Sequence, residues 1–375
     1  MIKTFLKFLS VIGLVFALHL PATGQATDLD ILIATELSGS AAVEGGLLIA
    51  EDELVGTVLF LLDKPTKICK NLKKDHCVIP LKIERKRKKV DHAKGRYKLM
   101  PIQDFEGIAS DGGKDVFFIG SHNPKYHEED DENYRRFGRE FLILARLEKD
   151  KKKEEWELKL RGEYHGLLKA LEAPFEEIGL DLFPNGKSGC SGDKKGKTLH
   201  PDIKLNIEGL AYHDDNLYIG FRAPLVPKTD KAIIAVIDAK APFEKRKNPC
   251  KKDPKVKLMQ VDLGGAGIRS LDWDSKKEKL LILSGVSDAS EKAEDSTIPK
   301  LWEYEPSNGA PKEVCSFTKK PNQTPEGVSR WKDKMVMVFD DEGEKPSAKI
   351  RYLIEPTENG KACAFEPKQK EASGA

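Results

Sequence analysis

Along this chain, apolar and polar positions fall into a pair of short segments that recurs five times. Each pair opens on a small motif that places one polar residue between apolar and small ones. A polar turn follows, and then a run of residues that is apolar almost throughout. Leu37-Ser38-Gly39-Ser40-Ala41 leads to Leu47–Asp52, and Phe105-Glu106-Gly107-Ile108-Ala109 leads to Val116–Ser121. Ile207-Glu208-Gly209-Leu210-Ala211 leads to Leu217–Arg222, and Ile268-Arg269-Ser270-Leu271-Asp272 leads to Leu280–Gly285. Pro325-Glu326-Gly327-Val328-Ser329 leads to Met335–Asp340. Continuous apolar runs of this length suit strands buried on both faces. Turns such as Asp111-Gly112-Gly113 and His213-Asp214-Asp215-Asn216 supply hairpin chemistry.

Two further strands follow each pair: Thr57–Leu62 and Val78–Ile83, Glu140–Leu147 and Trp156–Leu160, Ala232–Ile237 and Val256–Val261, and Leu301–Tyr304 and Glu313–Phe317. Four-stranded antiparallel units in series predict the blades of an all-β fold, a β-propeller with five recognisable blades and room for a sixth. The long gap between Glu106 and Glu208 holds an irregular insert at about 164–202. Within it, residues 166–179 carry apolar positions at helical spacing, and the insert is either an excursion or a degenerate sixth blade. The last unit shows only Lys349–Ile354 and Lys361–Phe365 after its first pair. Ring closure by the N-terminal Ile31–Ala34 would complete that blade and remove an open sheet edge. A two-domain β-sandwich protein is the competing arrangement.

The first residues bear on compartment. Lys3 and Lys7 precede an apolar run from Phe8 to Leu20, and Gly24-Gln25-Ala26 offers small residues for cleavage. A run of about 13 residues is short of the roughly 20 needed to span a bilayer, so residues 1–26 read as a signal peptide. The propeller domain is then 27–367, with a loose tail at 368–375. The expected location is periplasmic or secreted, with no membrane span after signal removal. Lys3 and Lys7 are the whole excess of 63 Lys+Arg over 61 Asp+Glu, so the mature chain is balanced. That removes any global pull toward nucleic acid. The local basic runs Lys82–Lys89 and Lys149–Lys153 read as solvated strand ends.

All six cysteines follow the signal: Cys69, Cys77, Cys190, Cys250, Cys315 and Cys363. An even number in an exported chain suggests disulfides. Cys69 and Cys77 flank a polar loop and could staple a hairpin. Cys315 and Cys363 lie in short strands near the end, leaving Cys190 and Cys250 in loops. Fifteen pairings remain open. No Cys-x-x-Cys pair is present, which argues against structural zinc.

The blocks Asn206–Ala211, Ile219–Leu225 and Leu263–Leu271, with Glu36–Gly39 and Pro325–Val328 in support, resemble the signature blocks of a bacterial domain-of-unknown-function family of exported, propeller-like proteins. The resemblance spans nearly the whole mature chain. It implies fold and compartment, and it carries no catalytic residue because the family has no established activity. Phytase-like and lactonase propellers are analogies of architecture only.

First strands of propeller blades line the central channel, so equivalent motif positions should converge. That puts Ser38, Glu106, Glu208, Arg269 and Glu326 at one mouth. Carboxylates brought together repel unless a cation or base relieves them. Calcium held by Glu106, Glu208 and Glu326 is one expectation, since calcium takes oxygen ligands in irregular geometry. Pairing of the acids with Arg269 and Arg222, or with backbone amides, is the other. Second strands end on the same rim, which adds Asp52, His122, Asn123, Arg222, Asp340 and Asp341. His122 could serve as a general base beside a carboxylate, or hold a loop. There is no Gly-x-Ser-x-Gly elbow, no His-Glu-x-x-His and no Walker loop. The expected function is therefore binding of a small molecule, glycan or protein on this rim. A calcium-dependent hydrolase of the phosphatase or lactonase kind is the alternative.

Overall fold

The computed structural model describes residues 28–31, 37–51, 55–64, 77–83, 91–92, 95–96, 102, 104–123, 125–126, 133–134, 139–150, 155–183, 203–244, 254–287, 298–317, 324–340, 348–354 and 362–365. The expected signal peptide and C-terminal tail, residues 184–202 of the insert, and Cys69, Cys190 and Cys250 lie outside these residues.

Five antiparallel sheets stand in a ring, a five-bladed β-propeller. Blade 1 comprises Leu37–Val43, Gly46–Glu51, Thr57–Leu62 and Cys77–Lys82. Blade 2 comprises Phe105–Ser110, Asp115–Gly120, Leu142–Asp150 and Glu155–Tyr164. Blade 3 comprises Asn206–His213, Asn216–Ala223, Ala232–Asp238 and Lys257–Val261. Blade 4 comprises Gly267–Asp274, Lys279–Gly285, Lys300–Tyr304 and Lys312–Ser316. Blade 5 comprises Thr324–Trp331, Lys334–Asp340 and Ala348–Ile354. Its outer edge is shared by two pieces of chain. Asp28–Ile31 pairs with residues 348–351, while Ala364–Phe365 pairs with Leu353 and Ile354. An N-terminal strand thus closes the ring as expected, but it is Asp28–Ile31 rather than Ile31–Ala34, and it lies beside a second, C-terminal piece; residues 32–34 lie outside the described residues.

The apolar runs are continuous because each blade packs on both faces. In Gly46–Glu51, Leu47 and Ile49 join the cluster shared with blade 5. Leu48 and Ala50 join the cluster shared with blade 2. Three more clusters fill the wedges between blades 2 and 3, 3 and 4, and 4 and 5. A fully buried Leu or Ile contributes about 1.5–3 kcal/mol, so five such wedges dominate the stability. Strands 142–150 and 155–164 outrun their apolar pattern. Cross-strand ion pairs line the polar end of this sheet: Arg146 with Asp115 on strand Asp115–Gly120 at 2.7 Å, and Lys159 with Glu148 within the hairpin at 2.7 Å.

The described part of the insert includes a helix, α1, spanning Leu167–Glu177. It buries Leu167, Leu168, Leu171 and Phe175 in the wedge between blades 2 and 3, where Phe175 meets Phe221 edge-on at 5.2 Å. The insert widens that wedge's core, and the blades number five.

Cys315 and Cys363 are joined by a disulfide with Cα atoms 5.0 Å apart. The bond fixes the C-terminal segment on the outer strand of blade 4. Phe317, Phe339 and Phe365 pack together beside it. Cys77 is also disulfide-bonded, and Cys69, its expected partner, lies outside the described residues. Among the described residues no helix is long and apolar enough to cross a membrane.

Candidate functional site

In every blade the ladder between the first and second strands slips at the same place. The slips fall between Leu37 and Gly39, Phe105 and Gly107, Ile207 and Gly209, Ile268 and Ser270, and Pro325 and Gly327. The skipped residues are Ser38, Glu106, Glu208, Arg269 and Glu326. A bulge of this kind leaves one residue unpaired and re-aims its side chain. Because the five inner strands pack each on the next around the ring, the five bulges form one collar at the channel mouth.

The next residue is small in all blades: Gly39, Gly107, Gly209, Ser270 and Gly327. A Cβ on Gly39 would stand 2.9 Å from the Glu106 carbonyl oxygen, and one on Gly107 or Gly209 would stand 2.8 Å from Leu210 or Leu271 of the following blade. A Cβ on Gly327 would stand 3.2 Å from the Gly39 Cα. Glycine is there because inner strands touch backbone to backbone or backbone to side chain. Ser270 instead accepts the Val328 N–H on its hydroxyl at 3.2 Å, and Ser40 and Ser329 share a hydrogen bond of 2.8 Å.

The collar is charged and paired. Arg222 Nη1 and Asn206 Nδ2 donate to Glu208 Oε1 at 2.8 and 2.9 Å. Arg222 Nε donates to the Val286 carbonyl at 3.0 Å, tying blade 3 to blade 4. A second slip in blade 3, between Asn206 and Ile207, makes Arg222 the extra residue on its strand. Arg269 Nη1 donates to both carboxylate oxygens of Glu326. Blade 4 makes room for Arg269 and for the Arg222 backbone with glycines. A Cβ on Gly285 would come 2.6 Å from Arg269 Nε, and one on Gly267 would come 2.1 Å from the Arg222 carbonyl oxygen.

Burial works against the Arg269 charge, yet Glu326, Glu208 and Glu106 together hold its pKa above the usual guanidinium value. Burial pushes the Glu326 carboxyl up to about 7, against the pull of Arg269, and Glu208 adds to the rise. Three buried polar atoms of the collar have no hydrogen-bond partner among the described residues: Glu208 Oε2, Asn206 Oδ1 and Arg269 Nε. Glu208 and Asn206 are each 6% exposed. Such atoms are rare in folded proteins because each costs roughly 1–3 kcal/mol of desolvation.

On the rim of blade 2, Ser121 donates its hydroxyl proton to Asp104, which also pairs with Arg139 at 3.1 Å. Asp104 and His122 both adopt left-handed backbone, at φ 64° and 56°. His122 is 2% exposed, and its Nδ1 bonds the Gly120 carbonyl at 2.8 Å, which requires that nitrogen to donate. This is the loop-holding geometry. Asn123 donates its backbone N–H to Ser121 Oγ at 3.1 Å. Asp340 ends the second strand of blade 5, while Asp52 and Asp341 lie outside the described residues. Among the described residues no three His, Cys, Asp or Glu side chains converge as a metal-ligand set. Glu208 and Glu326 are held by arginine, the other expected arrangement.

Sequence reasoning missed Asn206, Asp104, Arg139, Gly267 and Gly285. Asp104 and Asn206 share a place two residues before the bulge, so aligning the repeats one step further upstream would have found both. Glycines that clear space for a neighbour's arginine leave no such trace.

No curated protein matches the sequence. Among solved structures, a Trypanosoma rangeli sialidase in complex with the inhibitor DANA is 10% identical, with a TM-score of 0.42 over 87% of this chain and 60% of that one. The Bacteroides ovatus structure titled Xyloglucan PUL GH43B is 16% identical, with a TM-score of 0.35 over 73% of this chain and 42% of that one. A xylan β-1,4-xylosidase from Bacillus halodurans C-125 is 12% identical, with a TM-score of 0.35 over 70% and 41%. The chain spans about two fifths of the length of the latter two, and at these scores nothing about substrate or chemistry carries across. Part of the resemblance seen in the sequence is matched over blade 3 and the first hairpin of blade 4: residues 201–292 fit the model of a family described as protein of unknown function, DUF3616.

Proposed function

We propose that this chain is an exported binding propeller that holds a small polar ligand at the collar of its channel, with chemistry left to other proteins. The observation that carries the reading is the set of buried atoms Glu208 Oε2, Asn206 Oδ1 and Arg269 Nε, each lacking a protein partner. A collar built only to lock blades would satisfy its own atoms, as Arg269 Nη1 satisfies both carboxylate oxygens of Glu326. The apolar N-terminal run and the Cys315–Cys363 disulfide support export.

The test is thermal stabilisation of the mature protein and its Glu208→Gln variant by four compound classes: divalent cations, primary amines, small oxyanions and neutral polyols. The variant keeps the shape of the side chain and turns one acceptor into a donor. At least one class is expected to stabilise the parent protein and not the variant. Equal response of both proteins to every class would overturn the reading. A discriminating response to calcium alone would favour a metal-dependent hydrolase and call for phosphate ester and lactone assays.

A further inference from the structure

The partnerless atoms of the collar are of both kinds. Glu208 Oε2 and Asn206 Oδ1 accept, and Arg269 Nε donates. A bare cation would satisfy the two acceptors. It would also stand beside Arg222, which bonds the other oxygen of the same carboxylate at 2.8 Å, and it would leave the arginine donor unmet. An oxyanion would satisfy the donor and face Glu208 together with Glu326 and Glu106, whose charges all act on Arg269. A hydroxyl group both donates and accepts, and it carries no charge to be repelled by either sign.

Resting on the binding function proposed above, we infer that the collar is a site for a neutral polyhydroxyl ligand, a sugar ring or alditol, held through Glu208, Asn206 and Arg269. Glu208 Oε2 and Asn206 Oδ1 take hydroxyl protons from the ligand, and Arg269 Nε gives a hydrogen bond to a hydroxyl oxygen. Arg222 and the side-chain nitrogen of Asn206 hold the Glu208 carboxylate in place by saturating its other oxygen. Gly285 is part of the site. The Gly285 backbone packs closely against Arg269, so that a Cβ there would lie 2.6 Å from Arg269 Nε.

The experiment titrates D-glucose, D-galactose, D-xylose and sorbitol into the mature protein by calorimetry, with calcium chloride and inorganic phosphate in parallel. Glu208→Gln, Asn206→Ala and Gly285→Ala are titrated beside the parent, after thermal melts confirm that they fold. At least one polyol is expected to bind, with affinity lowered tenfold or more by Glu208→Gln and by Asn206→Ala. Arg269 displaced by the new methyl of Gly285→Ala should weaken binding by a smaller factor. Binding of calcium or phosphate that is lost in Glu208→Gln, without polyol binding, would overturn this inference and leave the binding function standing. Polyol binding that survives all three substitutions would place the ligand elsewhere and also overturn it. Silence from every probe would count against both.

Discussion

Removing the Arg269 guanidinium should reveal how much of the ring is held by charge. In Arg269→Met the Glu326 carboxylate, whose side chain is 17% exposed, stays buried without its cation. It would still feel the Glu208 charge that already raises its pKa. Breaking a buried pair by removing one partner costs about 3–5 kcal/mol. A chain of this length unfolds with an entropy of roughly 0.7 kcal/mol per kelvin, so the melting temperature should fall by about 4–7 °C. The double variant Arg269→Met/Glu326→Gln removes the stranded charge and should recover most of that loss, which gives a coupling well above the few tenths expected of independent sites. The sign with pH follows from the raised carboxyl. A group whose folded pKa lies above its unfolded value supports the fold below the unfolded pKa and loses that support as pH rises through the folded one. The deficit of Arg269→Met should therefore be smaller at pH 5 than at pH 8. Urea unfolding of the four proteins at both pH values is the assay. A single-variant loss below about 1 kcal/mol, or a double variant as unstable as the two losses summed, would refute the reasoning.

Asp272 lies part-buried between blades 4 and 5, where burial pushes its pKa up to about 7 although the Arg330 and Trp273 backbone N–H groups bond it. Its contribution to stability should fall from pH 4 to pH 7 with a slope approaching about 1.4 kcal/mol per pH unit, and Asp272→Asn should flatten that part of the stability curve. Gly267→Ala would drive a methyl to 2.1 Å from the Arg222 carbonyl oxygen, a backbone atom that cannot swing away. Its chemical denaturation should show a loss of about 1–3 kcal/mol. Reducing Cys315–Cys363, which spans 48 residues, should lower stability by about 2–4 kcal/mol, so a melt with a membrane-permeant reductant should resemble that of Cys315→Ser.

The parts of this architecture that could be read from residues are those that repeat. Alternation of Leu47 and Ile49 with Leu48 and Ala50 between two wedges produces an apolar run that is visible without coordinates. The Glu-Gly step of the motif is equally visible, since a bulge needs its extra residue and the next inner strand needs a missing Cβ. What did not repeat was lost. Asp272 occupies a place held by Ala41, Ala109, Ala211 and Ser329 in the other blades, and nothing in that comparison marks a part-buried acid fed by backbone amides. Gly267 and Gly285 serve Arg222 and Arg269, residues distant in pattern, so only the packed ring explains them. In blade 5 the expected C-terminal strand is only Ala364–Phe365, and it shares the outer edge with Asp28–Ile31 rather than Ile31–Ala34. The Cys315–Cys363 pairing required the C-terminal segment to lie along blade 4, which spacing alone does not fix.

That shared edge sets an order of assembly. Each of the first four blades is drawn from one continuous stretch, so its hairpins can pair soon after leaving the ribosome. The last cannot, because Asp28–Ile31 waits for residues 348–351 and the wedge between blades 5 and 1 waits with it. Contacts of such sequence separation form late and slowly. Until they form, the incomplete ring shows two open apolar faces, one at each end of the nascent arc, and offers them to any neighbour. Once the C-terminal segment is clasped to blade 4 by Cys363, it can hold blade 5 in place until the N-terminal strand arrives. A cell making this protein has most to lose in the interval between those two events.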